Sequence, residues 1–484
     1  MVLVAVWPIL VGIFTSVAPA VLLVTASIYL WHLRWQLSHD RSWLLPLPPG
    51  SMGLPIVGET LHWLLQGCEF HSSRRRQHGH VFKTHLLGRP VVRVSGAALL
   101  PPLLLEETSR VGVSWPRSAH DMLGPHSLAN SSGHTHRARR KVYARVFSQA
   151  ALDSYLPQIV KLVREAVTGW CARPGPVSVY PENKRLTLRI AAAALLGSLP
   201  SQEELTDLFT NMEQLSENIF TLPIDVPGSG YRKGIRARDK LHQYLGKVIE
   251  ARRQAGVCED QPGALGILAR SSKEQGMDMG VQELTEAAVE LMFAAFATTA
   301  SAATSLVLQL IKHPAVVAKL REELQTRALG AGALLRDISR LRYLDNVVKE
   351  VLRVLPPVSG GYRVALHTFE LAGFQIPKGW SVLYSIRDTH NTSPIFQDLE
   401  EFNPDRFDED QMKSKNLRFH YLPFGDGVRR CLGKELAKLI LKVFAIELVR
   451  VSHWELTTRT FPKMLLLPIV HPADGLQVRF FSSV

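Results

Sequence analysis

The chain has 484 residues, 46% hydrophobic and 20% charged, with a formal net charge of +13. That balance excludes collagen-like, coiled-coil and disordered classes and leaves ample length for a large core. Four cysteines (Cys68, Cys171, Cys258, Cys431) lie far apart with no CxxC pair, which argues against a disulfide framework or zinc site and for a reducing compartment.

The basic residues are scattered or helix-spaced, as in "RRR" 74–76 and "HRARRK" 136–141, with no aromatic interleaving. No nucleic-acid partner is expected; an acidic membrane surface or acidic protein fits this charge better. The first charged side chain is Arg34. At ~1.5 Å per residue, a helix over residues 1–33 exceeds the ~30 Å hydrocarbon core. Pro8 and Pro19 are expected to kink or trim it, leaving roughly Ile9 to Trp31 in lipid. A cleaved signal peptide is the rival reading, since "APA" 18–20 resembles a cleavage site. It lacks a basic n-region, and the apolar run continues past that point. Arg34 and Arg41 follow the span and nothing positive precedes it, which places the body in the cytosol. Residues 34–50 form a basic, proline-rich hinge, and 51–484 read as one catalytic domain.

Most of that domain reads as helix. "LDSYLPQIVKLVREAVTGW" (152–170) has helical apolar spacing, and 281–313 is a very long helix with an almost wholly apolar second half, expected to be buried. Strand signals cluster at 80–96, turning at Gly88-Arg89-Pro90, and at 367–386. The fold class is mainly α with a small, separate β region. The stretch 254–281 reads as an exposed loop carrying a short helix.

Chemistry concentrates in "PFGDGVRRCLGKE", 423–435. It fits F-x-x-G-x-R-x-C-x-G with Phe424, Gly427, Arg429, Cys431 and Gly433. Glycines let backbone approach a flat macrocycle at φ > 0. Phe424 can shield sulfur, and Arg429 can pair with a haem propionate. The helix beginning near Leu432 aims free N–H groups at Cys431 and favours its thiolate.

This pattern resembles the signature loop of cytochrome P450 monooxygenases, which bind haem b through a cysteine thiolate to iron. The resemblance implies further residues. Glu350 and Arg353, in "KEVLR" 81 residues before Cys431, with Arg406 in "FNPDRF", would form a buried ionic network supporting the haem core. The same E-x-x-R spacing at Glu107/Arg110, Glu250/Arg253 and Glu447/Arg450 reads as exposed surface pairs. In "AAFATT" (294–299), Thr298 would pass protons to bound dioxygen, or bond back to its own helix; Ala297 stands where the family has an acid. His136, Arg140 and Arg363 are the propionate candidates, while Arg137, Arg139 and Lys141 read as a basic surface patch.

From about residue 47 to 482 the chain resembles one branch, the retinoic acid hydroxylases of cytochrome P450 family 26. "LPIVGET", "VFKTHLLGRPVVRVSG", "PVSGGYR", "GFQIPKGWSVLYSIRDTH", "RFHYLPFG" and "VHPADGL" carry it. The C-type subfamily reads as nearest, then the B-type. The resemblance implies oxidation of all-trans-retinoic acid mainly at ring carbon 4, with carbon 18 and isomers such as the 9-cis acid as further options. It also implies electrons from NADPH-cytochrome P450 reductase, O2 as co-substrate, and single-pass residence in the endoplasmic reticulum membrane lipid. Trp115, Phe220, Phe293, Phe296, Ser359 and Tyr362 are the candidate substrate residues. Arg89 and Arg93 are candidate partners for the carboxylate. Two stretches depart from the family: Gly228 in "VPGSG", where a Phe is usual, and "LLPPLLLEE" (99–107), with prolines in a segment usually helical. Two alternatives stay open: the same haem chemistry on a sterol or fatty acid, and a haem- and retinoid-binding protein impaired at Ala297.

Overall fold

The computed structural model describes residues 2–256, 258–259, 262–327, 335–409, 416–466 and 468–483. The chain divides into two compact units. The first comprises the residues up to Ser95, Ser109–Gly112 and Tyr362–Tyr384; the second holds Gly96–Thr108, Val113–Gly361 and Ser385 onward.

The first unit begins with helix α1, Val2–Leu37, which runs through both Pro8 and Pro19. The helix outlasts its expected end at residue 33, because its last turns pack rather than fray. Trp35 is buried, and Trp31 donates its indole N–H to Met52 O at 3.3 Å. Both rings meet His85, and Trp35 also meets Trp380. Burial, with Arg34 nearby, pushes His85 down to about 4. The preceding turns present Val21, Leu22, Leu23 and Val24 outward, and Val17–Leu37 is long and apolar enough to cross a membrane.

The unit's sheet contains β1 (Val81–Leu86), β2 (Arg89–Val94), β3 (Val111–Val113), β4 (Gly360–Ala365) and β5 (Ser381–Ser385), in the order β1–β2–β5–β4–β3. The β1–β2 hairpin turns on Leu87-Gly88, both at positive φ, the form that matches strand twist. Pro90 therefore lies in β2 opposite His85, not in the turn. β2 pairs with β5 in parallel, Val91 against Ser381. A side hairpin joins Phe369–Leu371 to Phe374–Ile376.

In the second unit we label α2 (Gly133–Ala144), α3 (Gln149–Cys171), α4 (Val179–Leu196), α5 (Val281–Lys312), α6 (Arg342–Val354) and α7 (Lys434–Val451). Small residues along α5 let α4 lie close to it, and two hydrogen bonds cross the contact. Thr187 donates to Phe296 O, and Asn183 donates to Thr304. α5 also passes a membrane-length test, but most of it is buried, as the sequence pattern predicts for a core helix. It ends where Pro314 follows. The stretch after Gln254 carries the expected short helix, Ala264–Glu274. Gly228 turns at φ +84, a conformation that would strain the phenylalanine usual there.

Trp35→Ala should lower stability by about 3 kcal/mol, whereas Val21→Ala, on the outward face, should leave it unchanged. Thermal unfolding in detergent checks both.

Candidate functional site

α6 places Glu350 and Arg353 one turn apart and fully buried. Arg353 donates Nε to Glu350 Oε2 at 2.7 Å and Nη2 to Oε1 at 2.9 Å. Arg406 Nε reaches the same Oε1 at 2.9 Å, as does the Asn403 N–H. The remaining guanidinium nitrogens donate to the carbonyls of Gln397, Asp398, Leu399 and Glu401. One carboxylate thus meets two guanidiniums, and the guanidiniums fix the backbone that follows.

From there the chain is tied forward to the cysteine loop. His390, fully buried, hydrogen-bonds Arg353 O through Nδ1 at 3.2 Å and accepts the Leu422 N–H on Nε2 at 3.0 Å. Those partners require the neutral Nδ1–H tautomer. Its ring stacks on Tyr421, whose hydroxyl donates to Lys349 O. Sequence reasoning missed His390; nothing in "RDTH" marks it as load-sharing.

The loop itself closes when the Cys431 N–H donates to Phe424 O at 2.9 Å. Gly427 sits at φ +73, and a Cβ there would meet Leu104 O at 1.8 Å, so no side chain fits. Gly425, also at positive φ, is a second turn glycine the motif reading passed over. Gly433 corrects the expectation. Its φ is −78, and a Cβ would meet only the Phe147 ring at 3.5 Å, so the protein backbone does not require glycine there. α7 starts at Lys434, two residues later than expected. Burial pushes the Cys431 thiol up; a backbone hydrogen bond from Gly433, then Arg140 and Lys434, pull it back. Phe424 is half-buried beside the loop.

Arg429 lies differently from expectation. Its Nε donates to Glu107 Oε1 at 2.7 Å, Nη1 to Leu128 O at 3.2 Å and Nη2 to Ser131 O at 2.6 Å. Glu107 is nearly fully buried and needs this counter-charge. It comes from the 99–107 departure, whose prolines occupy the first turn of a short helix, Pro101–Leu104, where no N–H is lost from a ladder. Glu447, also read as a surface acid, is buried and pairs with Arg164. Arg139 is likewise no surface residue; it pairs with Glu283.

His136 is buried on α2, and Arg140, one turn on, donates to Arg430 O. Arg363, in the first unit, is buried, and its Nε has no hydrogen-bond partner among the described residues. On α5 the Thr298 hydroxyl donates to Ala294 O at 2.6 Å. Trp115 donates to Ala129 O and stacks with Phe220 at 6.5 Å between centroids; Phe293 is half-buried. Phe296 is a correction. It is fully buried against Phe209, edge to face, so it belongs to the core rather than to a slot. The Ser359 hydroxyl is buried without a partner among the described residues. Tyr362, half-buried in the first unit, has its phenol pushed up by burial.

These residues suit a haem. Cys431 is open to solvent although its thiol is desolvated, and Ala294 is exposed in the middle of a buried helix, so both border internal space. No group of three His, Cys, Asp or Glu among the described residues could hold a metal, so iron at this sulfur would bring its other ligands with it. A porphyrin does so.

A family model, Cytochrome P450, matches residues 48–480. The chain belongs to the cytochrome P450 family. It is 55% identical to Cytochrome P450 26B1 of Xenopus tropicalis over 95% of this chain and 92% of that relative. Against the human proteins it is 52% identical to both 26B1 and 26C1, covering 92% and 94% of them, and against the mouse proteins 54% and 51%, so it is a member of family 26 and identity does not favour the C-type over the B-type as expected. A solved retinoic acid-bound cyanobacterial CYP120A1 is 36% identical with a TM-score of 0.83, covering 90% of this chain and all of that one. As a cytochrome P450, the protein is a monooxygenase that uses haem b.

Two expectations follow. Glu350→Gln leaves two buried guanidiniums under-compensated and should cost about 3–5 kcal/mol, read as lost haem retention and a lower unfolding temperature. His390 is held at about 4 by burial, against an ordinary 6.5. The unfolded chain therefore takes up the proton first. This contribution is full above about pH 6.5 and is lost by about pH 4, a change of about 3 kcal/mol. Unfolding temperature against pH should flatten over that window in His390→Phe relative to the parent.

Proposed function

We propose that the protein is a membrane-anchored retinoic acid hydroxylase in which Cys431, as thiolate, would hold the haem iron. The observation that carries the substrate is the likeness to the retinoic acid-bound cyanobacterial structure over 90% of the chain. Family 26 membership supports it. On this reading residues 1–33 anchor the chain in the endoplasmic reticulum membrane as a single pass, and 51–484 form the cytosolic catalytic domain. NADPH-cytochrome P450 reductase supplies two electrons.

The bound haem supplies oxygen activation, placing one atom of O2 in a substrate C–H bond while the other leaves as water. The protein's own groups do the rest. The Gly433 N–H, Arg140 and Lys434 offset part of the burial that opposes charge on the sulfur. His136 and Arg140 would take the propionates. Arg429, already shared between Glu107 and two carbonyls, keeps the loop in place. Thr298 Oγ1, donating to Ala294 O, keeps lone pairs free to accept a proton in transit. The stacked Trp115 and Phe220 suit the flat face of a polyene. Oxidation at ring carbon 4 makes the retinoid more polar and ends its signal.

Cys431→Ser should abolish the thiolate-type spectrum of the reduced, carbon monoxide-bound protein while leaving the fold intact by circular dichroism. With reductase and NADPH, the parent should convert all-trans-retinoic acid to its 4-hydroxy product faster than it oxidises a fatty acid or sterol. Thr298→Ala should lower product per NADPH roughly tenfold or more. A parent that shifts its spectrum with retinoic acid yet consumes no NADPH would overturn the catalytic reading.

A further inference from the structure

The segment Gly124–Ser132 has no regular secondary structure, yet its backbone is pinned from one side by α5. Glu286 Oε2 accepts the His126 N–H at 2.7 Å. Gly124, at φ +86, lies so close to Glu286 that a Cβ would meet its Oε2 at 2.5 Å. One turn on, Glu290 accepts the Leu128 N–H on Oε2 at 2.7 Å and the Ala129 N–H on Oε1 at 2.8 Å. Its second contact on Oε2 is the Tyr143 hydroxyl at 3.4 Å.

The same residues present carbonyls to two other partners. Leu128 O accepts from Arg429 Nη1 at 3.2 Å, and Ser131 O accepts from Arg429 Nη2 at 2.6 Å. Ala129 O accepts the Trp115 indole N–H at 3.3 Å, and that ring stacks on Phe220. Each N–H held by Glu290 thus belongs to a residue whose carbonyl orients a side chain elsewhere. In one case that side chain belongs to the cysteine loop, in the other to the proposed substrate slot.

We infer that Glu290 is a positioning residue for both halves of the site, setting Arg429 of the cysteine loop and the Trp115 ring through the backbone of Leu128 and Ala129. Only a carboxylate can do this. It accepts both N–H groups at once, whereas glutamine offers one acceptor and turns an NH2 toward the other amide. Aspartate keeps the charge but falls one methylene short.

The inference rests on the haem and retinoid reading above, and the two fail differently. The first fails in the parent, which would then lack the thiolate-type spectrum or the retinoid-induced shift; the second fails in the variants alone. The experiment compares full-length, haem-loaded parent, Glu290→Gln and Glu290→Asp. In both variants the dissociation constant for all-trans-retinoic acid, read from the haem absorbance without turnover, should rise about tenfold, the loss of one charge-assisted hydrogen bond. The reduced, carbon monoxide-bound spectrum should gain a thiol-type fraction, and the peptide 124–132 should exchange its amide hydrogens faster. Faster exchange with both haem readouts unchanged would overturn the inference, leaving Glu290 a merely structural acid. If neither variant loads haem, the parent still decides. Its Leu128 and Ala129 amides should be protected like helix amides, and exchange at the rate of a free loop would sink the proposal.

Discussion

The catalytic unit depends on a carboxylate that cannot reach water. Glu350 is fully buried between Arg353 and Arg406, and its Oε1 serves both guanidiniums and a backbone N–H. Such a cluster adds little net stability over apolar packing, because desolvating three charges offsets much of their attraction. Its value is that it tolerates no alternative arrangement. With five guanidinium donors aimed at the carbonyls of 397–401, the path of that segment is fixed. His390 then carries the order forward to Leu422, two residues before Phe424. The sulfur is thus held at the end of a chain of polar contacts running from α6.

The charge balance around the sulfur follows from burial. A desolvated thiol resists ionising, so positive groups must be near, yet a sulfur held too tightly would donate little to iron. The loop carries Arg429, Arg430 and Lys434 close to Cys431. Glu107 neutralises one of them and is itself buried. Arg140 reaches across from α2 to Arg430 O, and it and Lys434, with the Gly433 N–H, favour charge on the sulfur. A proline-bearing segment that looks aberrant in sequence therefore supplies an acid the loop uses.

How much of this was legible beforehand depends on range. Local signals read true: the 80–96 hairpin, the long helix buried in its second half, and the glycine turn before Cys431. The Glu350–Arg353–Arg406 cluster was legible only through the family resemblance, since its E-x-x-R spacing recurs four times elsewhere, Glu182/Arg185 included. What failed is partner choice across the chain. Glu107 and Arg429 are 322 residues apart, and Arg139 meets Glu283 across 144. No periodicity encodes such pairs. The side a helix residue faces was equally hidden, so Phe296 read as pocket lining when it packs on Phe209.

The same limit explains how α5 manages without an acid at position 297. Its N-terminal half carries Glu283, Glu286 and Glu290, and each holds donors: Arg139, the His126 amide, and the amides of Leu128 and Ala129. These carboxylates are committed to holding the 126–129 backbone and Arg139. The helix opens instead at Ala294 and Thr298, small side chains that leave room for solvent beside the hydroxyl. On the proposed reading, water at that opening would supply what a fixed acid would, and an uncharged position 297 would suit a long hydrocarbon. One helix thus separates its work by sequence position, acids ordering a loop up to Glu290 and small residues opening the helix surface from Ala294 to Thr298.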